Sequence, residues 1–217
     1  MSLLRSVKKV AEANFPTRWG NFRILGFEGK LNPHRPNGVP QREIEDLAVL
    51  VMGDIHSAPP LVRIHSQCLT GDVFDSLRCD CRLQLELALK MIAKAGAGIL
   101  LYEKQEGRGI GLLGKLRAYE LQDQGLDTVQ ANEELGFAAD CRAYEMPAEA
   151  LKLLDVTSVR LITNNPDKVA ALEEHGIRVV ERISAEVAPQ ETFKRYLRTK
   201  KEKMGHIFEN VADSHDQ

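Results

Sequence analysis

The chain is poor in long apolar runs, in net charge, and in cysteine outside one short stretch. The longest apolar run, Leu47 to Met52, is far below the ~20 residues of a membrane-crossing helix. The opening "MSLLRSVKKVAEANFP" has no apolar stretch long enough for a secretory signal. Twenty-nine basic residues against 31 acidic ones leave a net charge of -2. That balance, with no basic stripe interleaved with aromatics, speaks against nucleic acid and anionic membrane as partners. No repeat, low-complexity tract or compositional break divides the sequence, so residues 1–217 are expected to form a single domain. A cytoplasmic location is the default, and there cysteines serve as metal ligands or reactive thiols more often than as disulfides. What remains is a globular composition, 43% apolar and 28% charged, on a chain long enough for a sizeable core.

The stretches 21–27, 46–55 and 61–66 are rich in β-formers and read as strands, with a proline-bearing surface loop over 32–41. From Asp80 onward the pattern turns helical, with Leu83, Leu87, Met91 and Ala95 on one stripe and Gly96 and Gly98 ending it. A buried strand over 98–104 and a helix over 112–124 follow. Residues 158–163 read as a strand. The run 164–176 reads as a helix entered through Asn165 and Pro166, and 177–183 as a strand. That last strand-helix-strand unit favours a parallel pair. Beyond Glu191 the tail reads as helical and then frays. The fold expected is α/β, a mixed β-sheet with flanking helices.

Three of the four cysteines fall within "CLTGDVFDSLRCDC", residues 68 to 81. Cys68, Cys79 and Cys81 can reach one ion if the backbone turns at Asp80. Three protein ligands with a fourth position open to water is the arrangement of a catalytic zinc. A structural site completed by His65 or His56, and cysteines buried without a metal, are the other readings. Cys141 stands too far along the chain to be recruited. The second motif, "EGRGIGLLG" (106 to 114), satisfies G-x-G-x-x-G but is separated from its strand by "KQEGR", which argues against a dinucleotide fold. Glycine-freed N–H groups at a helix start, together with Arg108, suggest a phosphate cradle. A metal site and a phosphate site in one chain suggest hydrolysis of a nucleotide.

"RIHSQCLTGDVFDSLRCDC", "QEGRGIGLLGKLRAYELQDQG", "LGFAADCR" and "TNNPDKV", in that order, resemble GTP cyclohydrolase II, the enzyme that opens GTP at the start of riboflavin synthesis. The resemblance extends over about 14–206, from "TRWGNF" to "KKEKMGH". It implies a homodimer with one catalytic Zn2+ per subunit on Cys68, Cys79 and Cys81, and Mg2+ on the triphosphate. It implies GTP contacts at Arg63, Ile64, His65, Ser66, Gln67, Gln84, Glu106, Gly107, Arg108, Thr128, Thr163 and Lys168. Asp140 falls at the position of the proton acceptor, Arg142 at that of the nucleophile, and Tyr119 where a tyrosine assists ring hydrolysis. The products implied are formate, pyrophosphate and a diaminopyrimidinone ribosylamino phosphate. Glu106 would suit the N1–H and 2-amino edge of guanine, and Arg63, Arg108 and Lys168 the phosphates. The chain carries Gln67, Arg82, Gly114 and Ala143 where the family usually has Glu, Gly, Asn and Asp. Two further readings stand beside this one: a relative acting on another purine nucleotide, and a zinc-stabilised nucleotide-binding regulator without turnover.

Overall fold

In the computed structural model, residues 4–32 and 43–209 are described. The expected loop at 32–41 lies almost wholly outside them. Among the described residues, seven strands form one sheet: β1 (Leu4–Thr17), β2 (Gly20–Leu31), β3 (Ile44–Met52), β4 (Leu61–Ser66), β5 (Gly98–Glu103), β6 (Ser158–Ile162) and β7 (Arg178–Ile183). Their order is β1-β2-β3-β5-β4-β6-β7. The β1-β2-β3-β5 ribbon is antiparallel, and β5, β4, β6 and β7 are parallel to one another. The mixed α/β sheet expected from the sequence is therefore present, including the parallel pair around 158–183.

The helices are α1 (Leu69–Asp72), α2 (Cys81–Ala95), α3 (Gly111–Asp123), α4 (Thr128–Glu134), α5 (Glu145–Leu153), α6 (Pro166–Glu174) and α7 (Lys194–Met204). Asn165 caps α6 through Asp167 N–H, with Pro166 at its first position, as the sequence signals. β3 stops at Met52 rather than at residue 55, because Gly53 takes φ +64 and turns the chain away. β1 escapes sequence reading altogether. It is mostly exposed, carries Arg5, Lys8, Lys9 and Glu12 among few β-formers, and is held by its pairing with β2 rather than by its own propensity.

Side chains alternate across the sheet. Val49, Val51, Ile64, Ile99 and Leu101 face one core with α5 and α6, while Leu61 and Leu100 face a second core with Ala88 and Ile92 of α2. On β4 the same alternation turns Arg63 and His65 toward the α2 face, opposite Ile64. Strands β4, β5 and β6 end side by side, and each runs into a loop of the site. Open α/β sheets bind ligands beyond these carboxyl ends.

Candidate active site

A cleft opens at those strand ends, enclosing about 1070 Å³ including its open mouth, enough for a nucleotide rather than an ion alone. Cys68 follows β4 and caps α1, while Cys79 and Cys81 flank the first turn of α2. Their three sulfurs lie within 4.8 Å of one another, and Cys68 Sγ is 3.6 Å from Cys79 Sγ. Two sulfurs each ~2.3 Å from one tetrahedral ion stand about 3.8 Å apart, so the set has the dimensions of a metal site. The chain between them folds over the cluster at Gly71, where an added Cβ would lie 2.9 Å from Cys79 Sγ and 3.1 Å from Cys68 Sγ. Only glycine fits that approach.

The electrostatics agree. Hydrogen bonds from the other two thiols and the Lys115 ammonium, 3.1 Å away, hold Cys68 as a thiolate. Its hydrogen bonds to them in turn push Cys79 up to about 11 and Cys81 upward as well, with burial and its charge adding to both. Three sulfurs this close cannot all ionise without a cation among them, so the soft donor set fits a metal such as zinc. His65 does not join as a fourth ligand. Its Nε2 lies 3.0 Å from Asp72 Oδ1, its ring stacks on Tyr102, and burial keeps it neutral. His56 is exposed and bonds Asp54 through its backbone N–H.

The same cleft gathers cations. Arg63 donates to Ile162 O and to Gln84 Oε1, and Lys168 Nζ donates to Ile64 O at 2.9 Å. Burial lowers the pKa of both, and Lys168 is lowered further by Arg63 and Arg142. Cations that depress one another in this way favour an anion between them. Several N–H groups on the cleft-lining residues have no partner: Arg63 Nε, both Arg108 terminal nitrogens, and the amide nitrogens of Asn164 and Asn165. A buried donor left unpaired costs about 1–3 kcal/mol, which a bound phosphate would offset.

The glycine loop departs from the expected cradle. Residues 106–109 form a tight turn in which Gly107 and Arg108 both take φ near +60°. The N–H groups of Gly107, Gly109 and Ile110 are spent on Glu106 Oε1, Gln105 O and Gly107 O. The loop therefore offers the Arg108 guanidinium rather than a nest of free N–H groups. Arg108 in that conformation is strained, and such strain gathers at functional sites. Glu106 is also committed, accepting from Leu69 N–H at 2.6 Å and Lys115 Nζ at 2.7 Å.

Tyr119 stands one helical turn beyond Lys115 on α3, its hydroxyl 3.1 Å from Thr70 Oγ1, and burial raises its pKa so that it keeps its proton. Arg142 grips the Asp140 carboxylate through Nε and Nη2, with its backbone N–H on the same carboxylate. Burial works against ionisation of both, yet Arg142 holds Asp140 below the usual carboxylate range and Asp140 raises Arg142. Gln105 fastens this segment to the end of β5, donating to Ala143 O and accepting from Ala143 N–H.

Of the residues expected at the site, Arg63, His65, Ser66, Gln67, Gln84, Glu106, Gly107, Arg108, Tyr119, Thr128, Arg142, Thr163, Lys168 and the three cysteines line the cleft. Asp140 reaches it through Arg142. Ile64 points into the opposite core, fully buried, and offers the site only its carbonyl. The sequence reading missed Lys115, Asn132, Tyr196, Lys200 and His206, which line the cleft too. Lys115 carried a signal, four residues before Tyr119, and Lys200 and His206 stand at the two ends of "KKEKMGH".

The GTP cyclohydrolase II family model matches residues 8–184. GTP cyclohydrolase-2 of Escherichia coli O9:H4 (strain HS) is 54% identical over 202 residues, covering 93% of this chain and 97% of its own. The same values hold for GTP cyclohydrolase-2 of Shigella boydii serotype 18 (strain CDC 3083-94 / BS512). The chain belongs to the GTP cyclohydrolase II family. Like its relatives it is a hydrolase, and residues of all four motifs that carry the resemblance meet at the cleft just described. A solved two-domain 3,4-dihydroxy-2-butanone 4-phosphate synthase from A. baumannii is similar at 16% identity and TM-score 0.46, over 85% of this chain and 41% of that one.

Proposed function

We propose that this GTP cyclohydrolase II opens the imidazole ring of GTP. It releases formate and pyrophosphate and leaves 2,5-diamino-6-(5-phosphoribosylamino)pyrimidin-4(3H)-one, the first step of riboflavin synthesis. The observation that carries the reading is the meeting of a three-sulfur cluster and a buried, under-partnered cation cluster in one cleft. Cys68, Cys79 and Cys81 would hold one Zn2+, which would supply Lewis acidity to activate water toward the purine C8. Arg63, Arg108, Lys168 and Thr163 bind the triphosphate, with Mg2+ arriving on the nucleotide. Tyr119, protonated above Thr70, donates a hydrogen bond toward the opening ring. Gln67, Gln84, Thr128 and the backbone of 64–66 and 107 complete the walls.

In this reading Asp140, paired with Arg142, accepts its proton, and Arg142 attacks the α-phosphate. The tight pair and the raised Arg142 pKa oppose loss of that proton, and so favour a second reading in which Arg142 clamps phosphate without covalent chemistry. The enzyme works as a homodimer in the cytoplasm, as the family resemblance implies, and the exposed apolar side chains of Phe74 and Leu113 suit burial by a second subunit. Among the described residues no helix is long and apolar enough to cross a membrane. Incubation with GTP, zinc and magnesium tests the proposal, with both formate and pyrophosphate expected. Release of neither, with nucleotide bound, would favour a regulator. A product retaining the formyl group would point to a relative serving another pathway.

A further inference from the structure

The resemblance over 14–206 runs on past residue 184, where the family model stops, and the cleft is also lined by Tyr196, Lys200 and His206, from α7 and the turn after it. We infer that α7 is a working part of the site, in which Lys200 locks the turn between the metal-holding Cys79 and Cys81 by pairing with Asp80. Lys200 Nζ lies 2.8 Å from Asp80 Oδ1, and the two residues are 8% and 1% exposed. Asp80 occupies the N-cap of α2 but makes no side-chain cap bond. Its carboxylate is spent on Lys200 and on Gln84, which donates to Oδ2 at 2.5 Å. Gln84 in turn accepts from Arg63 at 2.6 Å. One buried chain of bonds thus runs from α7 through the cysteine turn to a cation of the phosphate wall.

Other contacts seat the helix on the site rather than on the body of the sheet. Ile207 N–H donates to Asn164 O in the loop after β6, and Lys203 pairs with Asp127, the cap of α4. Phe193, Leu197 and Phe208 pack with Leu83 of α2, two residues past Cys81. Burying an ion pair is weak evidence for stability, since apolar residues of equal volume would often serve as well. Its placement between two ligands is what gives it a function. Groups that orient metal ligands from outside the coordination set change metal affinity about 10–100-fold.

This inference rests on the reading that the three cysteines hold zinc. The test follows chelator-driven zinc loss from the zinc-loaded full chain, with thiolate-to-metal absorption after cobalt exchange as a second readout. Lys200→Met should lose zinc about tenfold faster or more and shift the cobalt spectrum. Asp80→Asn should do the same, and it decides the matter if Lys200→Met does not fold. Lys200→Arg, which keeps the charge, and Lys203→Met, which cuts only the exposed pair on the same helix, should release zinc about as slowly as the parent. A merely structural fastening would lower Tm in Lys200→Met and Asp80→Asn while leaving zinc loss and the cobalt spectrum unchanged, and that result overturns the inference. A parent chain that retains no zinc overturns the metal reading as well, and shows it before any variant is made.

Discussion

At the scale of single residues, the site works by pairing each costly group with one that needs it. Cys79 needs a cation to ionise beside Cys68. Cys79→Ser should therefore lose most bound zinc and formate release, while far-ultraviolet circular dichroism stays that of the folded chain, because the two sheet cores do not pass through the cluster. Zinc retained at full occupancy in that variant would show that Cys79 is not a ligand. Arg142 needs Asp140, and the chemistry of that pair is open to a direct measurement. A covalent role predicts that Arg142→Lys abolishes pyrophosphate release, with GTP binding kept within about tenfold, ~1.4 kcal/mol. Substantial release at saturating GTP in the variant would establish the phosphate clamp instead. Glu106 shows what residue-level reading misses. A carboxylate at that place suits a guanine edge, but its oxygens already serve Leu69 N–H and Lys115, so its first task is to seat the lysine beside Cys68.

At the scale of elements, caps and turns decide where the loops of the site begin. α4 carries a full capping box: Asp127 accepts from Val129 and Gln130 N–H, and the Gln130 side chain accepts from Asp127 N–H. The spacing D-x-x-Q was open to view in the sequence and marks the helix that brings Thr128 to the cleft. Asp127→Ala should cost about 1 kcal/mol in denaturant midpoint at unchanged slope. A loss below a few tenths would mean that the Lys203 pair and the box contribute little. The opposite case is β1, whose composition gives no strand signal. Its place follows from twelve paired positions on β2 and from Leu4 N–H bonding Glu145 on α5, contacts no local pattern encodes.

At the scale of the whole molecule, the parallel end of the sheet places a buried acid at the base of the site. Burial raises Glu103, at the end of β5, up to about 8 against its ordinary 4.5, so in the fold it stays protonated where the unfolded chain would ionise. The stability this contributes is fully present below about pH 4.5 and is lost as pH rises toward about 8. Glu103→Gln should remove that slope. The difference in Tm between variant and parent, measured from pH 5 to 8.5, should move in favour of the variant as pH rises. A difference constant with pH would mean that Glu103 is ionised in the fold.

The sequence by itself determined the chemistry on offer and most of the regular elements. The cysteine spacing, the glycine turn and the Asn-Pro entry to α6 are local signals, carried by residues a few positions apart. They pointed to the three cysteines that meet in the cleft, while most of the cleft wall came from the family resemblance. Only the tertiary structure decided what each group is free to do. β-strand alternation sends Ile64 into the core and Arg63 into the cleft, and the crossover from β4 to β6 brings Lys168 to a carbonyl 104 residues away. The folded tail sets Lys200 on Asp80 across 120 residues. Such contacts depend on sheet order and helix packing, which no single stretch of this chain contains.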